Sequence, residues 1–143
     1  SDVYKRQPVA NLIEAAGGLP EDSGKVILGG PMMGRAAVSL SSPVGKGTSG
    51  VLIIPESEAT RKKEEPCIRC AKCVSACPMG LEPYLLAKVS SLNMLDRAEK
   101  ENIMDCIECG CCTFTCPANR PLLDYVRIGK SQVGAIIRSR AKK

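Results

Sequence analysis

The sequence predicts an α+β chain: a small strand-containing first half, then a mainly α-helical second half built around metal. Three observations predict it. Eight of the nine cysteines fall between Cys67 and Cys116 in two copies of Cys-x2-Cys-x2-Cys-x3-Cys-Pro. The segment joining the copies carries helical periodicity. The first half holds two short aliphatic runs separated by glycine-rich turns.

The repeat is a ligand set. Cys67, Cys70, Cys73, Cys77 and Pro78 recur as Cys106, Cys109, Cys112, Cys116 and Pro117, each 39 residues on (67→106). A repeat of this kind marks one structural unit used twice. The spacing is the bacterial pattern for [4Fe–4S] clusters. A cubane offers four irons, each wanting a soft thiolate. Three cysteines at x2 intervals let one loop curl round a face of it, while the fourth, after x3, starts a helical turn that points away. In two-cluster proteins that fourth cysteine ligates the other cluster. The expected sets are therefore Cys67, Cys70, Cys73 and Cys116 for one cluster, and Cys106, Cys109, Cys112 and Cys77 for the second. Pro78 and Pro117 fix φ and redirect the chain after each set. Zinc ribbons separate their Cys-x2-Cys pairs, and the chain has no histidine, so mixed Cys/His zinc sites are excluded. Cys111 lies outside the register, because Lys72 holds its place in the first copy. It is read as a bystander thiol, or as a donor toward cluster sulfur. No group is placed to act as catalytic acid, base or nucleophile.

Charge and composition narrow the function classes. The formal charge is +5, but each cluster with its four thiolates brings about −2, leaving the loaded chain near +1. The basic excess therefore argues little for nucleic acid, and aromatics are only 3%, against the stacking pattern of single-strand binders. Thiolates meant for iron need a reducing compartment. No apolar run is long enough to span a bilayer. The expectation is a cytoplasmic-facing protein, soluble by itself, that binds no nucleic acid.

Along the chain, Ser1–Gln7 has no periodicity and is set aside from the fold. Pro8–Ala16 reads as a helix, with Val9, Leu12, Ile13 and Ala16 on one face. Lys25–Leu28 and Gly50–Ile54 read as strands. Gly29–Gly34 follows a strand, yet lacks both Gly-x-Gly-x-x-Gly and Gly-Lys-Ser/Thr, so a structural turn packed by Met32 and Met33 is preferred to a phosphate loop. So few strands do not make an independent sheet domain. Residues 56–66 read as a charged, solvated linker between a first module, 1–55, and a dicluster domain, 67–130. Within the latter, Pro83–Leu92 and Arg97–Met104 read as helices, the second capped by Asp96 with Glu99 as its capping-box partner. A helical link points to the α-helical ferredoxin arrangement. Gly80 and Asn119 hold matching positions and both tolerate left-handed backbone. Pro121–Ile128 is a third helix. Residues 131–143 form a basic tail, read either as an amphipathic helix on a membrane or partner, or as a frayed terminus.

Taken together, Gly29-Gly30-Pro31-Met32-Met33-Gly34, then Pro43-Val44-x-Lys46-x-Thr48-x-Gly50, then both cysteine sets with Cys106-Ile107-Glu108-Cys109-Gly110, resemble the C-terminal part of the C subunit of the Rnf ion-translocating oxidoreductase (electron transport) complex. The resemblance implies an incomplete β-grasp module of the soluble-ligand-binding type ahead of the clusters. It also implies that FMN and NADH bind an upstream domain outside this sequence. The implied function is electron relay between the NADH/FMN and ferredoxin sides of a membrane-bound, redox-driven ion translocase. The implied partners are the other Rnf subunits, especially the ferredoxin-like one. Two alternatives stand beside it: the dicluster component of a soluble oxidoreductase of the heterodisulfide-reductase or glycolate-oxidase type, and a module in which metal only supports a surface.

Overall fold

The computed structural model describes residues 6–141, and the chain divides into two compact units at Arg61/Lys62.

In the first unit, helix α1 (Val9–Ala15) precedes strands β1 (Ser23–Leu28), β2 (Arg35–Ala36) and β3 (Val51–Pro55), and a short helix α2 (Glu56–Ala59) closes it. The sheet is antiparallel, in the order β2-β1-β3. Side chains alternate across a strand, so the pairs Val26–Ile53 and Leu28–Val51 share one face. Val9, Ile13 and Val44 pack on that face and form the unit's core. The Gly29–Gly34 segment is the turn between β1 and β2. Gly29 is left-handed (φ 109°) and Gly34 N–H donates to Gly30 O at 2.7 Å. A Cβ on Gly34 would strike the Ile27 side chain, which explains glycine there. The turn leaves Met32 and Met33 38% and 51% exposed, however, so they are not buried in it.

Two further expectations are corrected here. Arg6 and Gln7 belong to the unit, because Arg6 N–H donates to Val44 O and Val44 N–H to Gln7 O; residues 1–5 lie outside the described part. The segment 56–66 is not one solvated linker. Glu56 N–H donates to Asp22 O at 2.7 Å, Lys25 Nζ donates to Ala59 O at 2.6 Å, and Gly24 lies so close that a Cβ would sit 2.5 Å from Glu56 Cα.

The second unit is helical: α3 (Lys72–Ser75), α4 (Pro83–Ser91), α5 (Leu95–Lys100), a 3-10 turn (Ile103–Asp105), α6 (Cys111–Phe114) and α7 (Leu122–Arg140). Its core runs along α4 and α7. Leu122, Val126, Gly129 and Val133 fall at spacings of four, three and four, one face of a helix, and meet Leu86, Val89, Ala98 and Ile103. Cys73, Cys77, Cys106, Cys112 and Cys116 pack against that same core. At the α4/α7 crossing sits Gly129. A Cβ there would lie 2.8 Å from Ser90 Cβ and 2.9 Å from Ile103 Cδ1, and would overlap Ser90 Oγ. The close crossing needs a small residue on each helix.

The third helix does not stop at Ile128, and residues 131–140 are no separate tail: α7 runs unbroken to Arg140, with Val133 fully buried. Asp96 does not cap α5, which has Met94 at its N-cap and no side-chain cap. Both expected capping carboxylates turn to Arg140 instead: Glu99 at 2.8 Å and Asp96 at 3.7 Å. No helix among the described residues is long and apolar enough to cross a membrane.

Candidate metal centres

The cysteine repeat is also a backbone repeat. Arg69, Ala71 and Gly80 have positive φ (57°, 58°, 66°), and so do their counterparts Glu108, Gly110 and Asn119 (57°, 84°, 51°). The hydrogen bonds repeat as well. Val74 and Ser75 donate to Ala71 O as Thr113 and Phe114 donate to Gly110 O, and Gly80 donates to Cys77 O as Asn119 does to Cys116 O. Left-handed backbone costs a non-glycine residue about 1–2 kcal/mol. Three such residues in two short loops, Arg69, Ala71 and Glu108, mark these loops as a candidate functional site. Left-handed residues alternating with right-handed ones turn successive N–H groups toward one point, a concavity suited to anionic iron–sulfur sites. One such donor is visible: Glu108 N–H lies 3.4 Å from Cys106 Sγ.

Two cavities collect the eight repeat cysteines. Cys67, Cys70 and Cys73 from the first loop line the larger, about 780 Å3, together with Cys116 from the second. Cys106, Cys109 and Cys112 line the smaller, about 20 Å3, together with Cys77. The segment entering the first loop is fastened to the turn after Cys116. Glu65 N–H donates to Ala118 O at 3.0 Å, Asn119 Nδ2 to Lys63 O at 3.3 Å, and Arg120 pairs with Glu64 at 3.3 Å. These contacts bring Cys67 to the Cys116 side. Four thiols around a space fit the donor chemistry of an iron–sulfur cubane. The larger cavity has room for one. Around the smaller, the four side chains must swing apart to admit it.

All nine thiols are free, with Cys67 and Cys70 exposed and the rest half-buried. Burial pushes Cys112 up to about 11, against hydrogen bonds from Thr113. Burial also raises Cys106, partly offset by the Glu108 N–H and by Lys130, and raises Cys73, partly offset by the backbone N–H groups of Tyr84 and Val74. Desolvation disfavours the thiolate in each case. Cys111 hydrogen-bonds the Cys109 side chain, which raises its own pKa.

A further group escapes the cysteine pattern. Glu108, between Cys106 and Cys109, pairs with Arg127 Nε at 2.9 Å and with Lys130 Nζ at 3.6 Å, while Lys130 Nζ donates to Cys106 O at 2.6 Å. A signal was present: Arg127 and Lys130 stand three residues apart on one face of a helix. Nothing in the sequence said that this face would meet the loop.

Residues 59–129 match the family described as a 4Fe-4S dicluster domain. The chain is 44% identical over 126 residues to the C subunit of the Na(+)-translocating ferredoxin:NAD(+) oxidoreductase complex of Acetobacterium woodii, covering 88% of this chain and 28% of that protein. It is 43% identical over 121 residues to the C subunit of the proton-translocating ferredoxin:NAD(+) oxidoreductase complex of Clostridium ljungdahlii (84% and 26%). It is 40% identical over 126 residues to the C subunit of the ion-translocating oxidoreductase complex of Methanosarcina acetivorans (88% and 28%). The chain is a homologue of the C subunits of ion-translocating oxidoreductase complexes. It spans roughly a quarter of the length of these relatives. The matched identity runs well beyond the dicluster region into the strand-containing unit, which a shared cysteine pattern alone does not require.

Proposed function

We propose that this chain is the iron–sulfur relay portion of an Rnf-type C subunit, passing electrons between an NADH/FMN side and a ferredoxin side of a membrane-bound, ion-translocating oxidoreductase. The observation that carries the reading is the grouping of eight cysteines around two cavities, three from one loop and one from the other in each. On this reading Cys67, Cys70, Cys73 and Cys116 hold one [4Fe–4S] cluster, and Cys106, Cys109, Cys112 and Cys77 hold the other. Two such clusters supply reversible one-electron transfer.

The chain's own residues do the rest. The left-handed loops aim backbone N–H groups at the thiolates. The α4/α7 core excludes water from the inner face of both sites, and the shared ligation locks the two loops to each other. FMN and NADH bind elsewhere, in an upstream domain. The three-stranded unit is part of a β-grasp-like module, and the partners are the other subunits of the complex, above all the ferredoxin-like one. The chain sits peripherally on the cytoplasmic side of the membrane.

The test is anaerobic reduction by dithionite followed by reoxidation. Broad charge-transfer absorbance that bleaches and recovers is expected, whereas spectra unmoved by reductant sink the relay and leave metal a structural role. Calorimetry with NADH is expected to give no binding heat; a measurable dissociation constant would place a nucleotide site in this chain.

A further inference from the structure

We propose that Glu108 is a positioning residue that latches the second cysteine loop to α7, and so sets how firmly and at what potential that loop holds its cluster. The proposal rests on the cluster assignment above for Cys106, Cys109, Cys112 and Cys77.

Glu108 adopts left-handed backbone (φ 57°), a conformation that costs a non-glycine residue energy. That conformation turns its N–H toward Cys106 Sγ, 3.4 Å away. Its carboxylate reaches across to α7, where Arg127 lies at 2.9 Å and Lys130 at 3.6 Å. Lys130 also holds Cys106 O at 2.6 Å. The loop is thus fastened at two successive points to a helix that is anchored in the core through Val126 and Val133. All three side chains are partly shielded, Glu108 30% and Arg127 20% exposed, so the pairs are less screened than ordinary surface ion pairs. The first copy has no such device. Arg69, Lys88 and Ser91 stand where the repeat puts Glu108, Arg127 and Lys130 in the second. Two cations and a hydroxyl cannot form the latch.

Both consequences follow from the carboxylate. Holding the loop slows its opening and the loss of iron. A negative group beside the site opposes the gain of an electron, so it lowers the potential relative to a loop without it.

The experiment uses the anaerobically loaded protein carrying Glu108→Gln, which keeps the shape and removes the charge. Two readouts are taken: the rate of iron loss to a chelator, and a redox titration followed by EPR. Half of the iron is expected to leave a few-fold faster, while the other half leaves at the wild-type rate. One of the two reduction steps is expected to move to higher potential, the other staying fixed. Equal acceleration of all the iron, unchanged release, or an unmoved potential overturns the latch. If Glu108→Gln cannot be loaded, Lys130→Gln, which spares the Arg127 pair, carries the test, with a smaller acceleration confined to the same half. The chelation readout needs no electron transfer. A wild-type protein that cannot be reduced at all would defeat the relay reading, and the latch would still be decided.

Discussion

The two cysteine loops share one spacing, one set of left-handed positions and one hydrogen-bond pattern, yet they sit in opposite surroundings. In the first, Cys67 and Cys70 are exposed, Ile68 is 67% exposed, and Arg69 has no ion-pair partner among the described residues. In the second, every cysteine is half-buried and Glu108 is tied to α7 by two cations. The local motif is the same, so the difference comes from what the rest of the chain lays against each loop. The second loop has the length of α7 behind it. The first is approached from outside the core by the extended segment 62–66, pinned at Lys63, Glu64 and Glu65. The two loops are thus unequally enclosed, the second shielded and the first open.

The largest expected effect comes from the residues that tie the loops together. Cys77→Ser removes a first-copy cysteine, yet iron analysis should show the loss at the cluster of Cys106, Cys109 and Cys112. Disturbance confined to the cluster of Cys67, Cys70 and Cys73 would mean that each loop is self-contained. Next in size is the helix crossing beneath both. Gly129→Leu drives a side chain into Ser90 and Ile103, and should cost about 1–3 kcal/mol or more in denaturant unfolding, with both clusters loosened together. Ser90→Ala works the other way. Ser90 Oγ is buried with no partner, so its removal should be neutral or stabilising by up to about 1 kcal/mol.

The pH dependence is intermediate. Thiolates bind iron, and the Cys112, Cys106 and Cys73 thiols are held protonated by burial. Raised pKa values mean that loading releases protons, so apparent cluster affinity should rise with pH, and for Cys112 should go on rising toward about 11. A chelator competition that is flat from neutral to alkaline pH would contradict this. The smallest effect tests whether the inequality can be transplanted. Arg69→Glu places a carboxylate opposite the repeat counterpart of Arg127, Lys88, and should slow iron loss from the first site by a few-fold. No change would mean that the α4 side cannot supply a latch.

Local patterns carried much of this in the sequence itself. The cysteine spacing, the helices around Val9–Ala15 and Pro83–Ser91, the strands flanking the Gly29–Gly34 turn, and the left-handed Gly80 and Asn119 all depend on residues a few positions apart. What stayed hidden depended on distant partners. Asp96 and Glu99 look like caps until Arg140, some forty residues on, draws both carboxylates away. Residues 131–140 look like a solvated basic tail until Val133 is seen against Ile103 and Ala98. Met32 and Met33 look like the packing of a turn but are 38% and 51% exposed. Glu108 looks like one surface charge among fifteen acidic residues until α7 brings Arg127 and Lys130 beside it.

The most direct measurement is an anaerobic count of iron and acid-labile sulfide in the loaded protein, joined to EPR of the dithionite-reduced state. Two [4Fe–4S] sites predict about eight iron and eight sulfide per chain, with the signals of two reduced clusters. About four of each, tightly bound zinc in place of iron, or a protein silent to reductant would contradict the account.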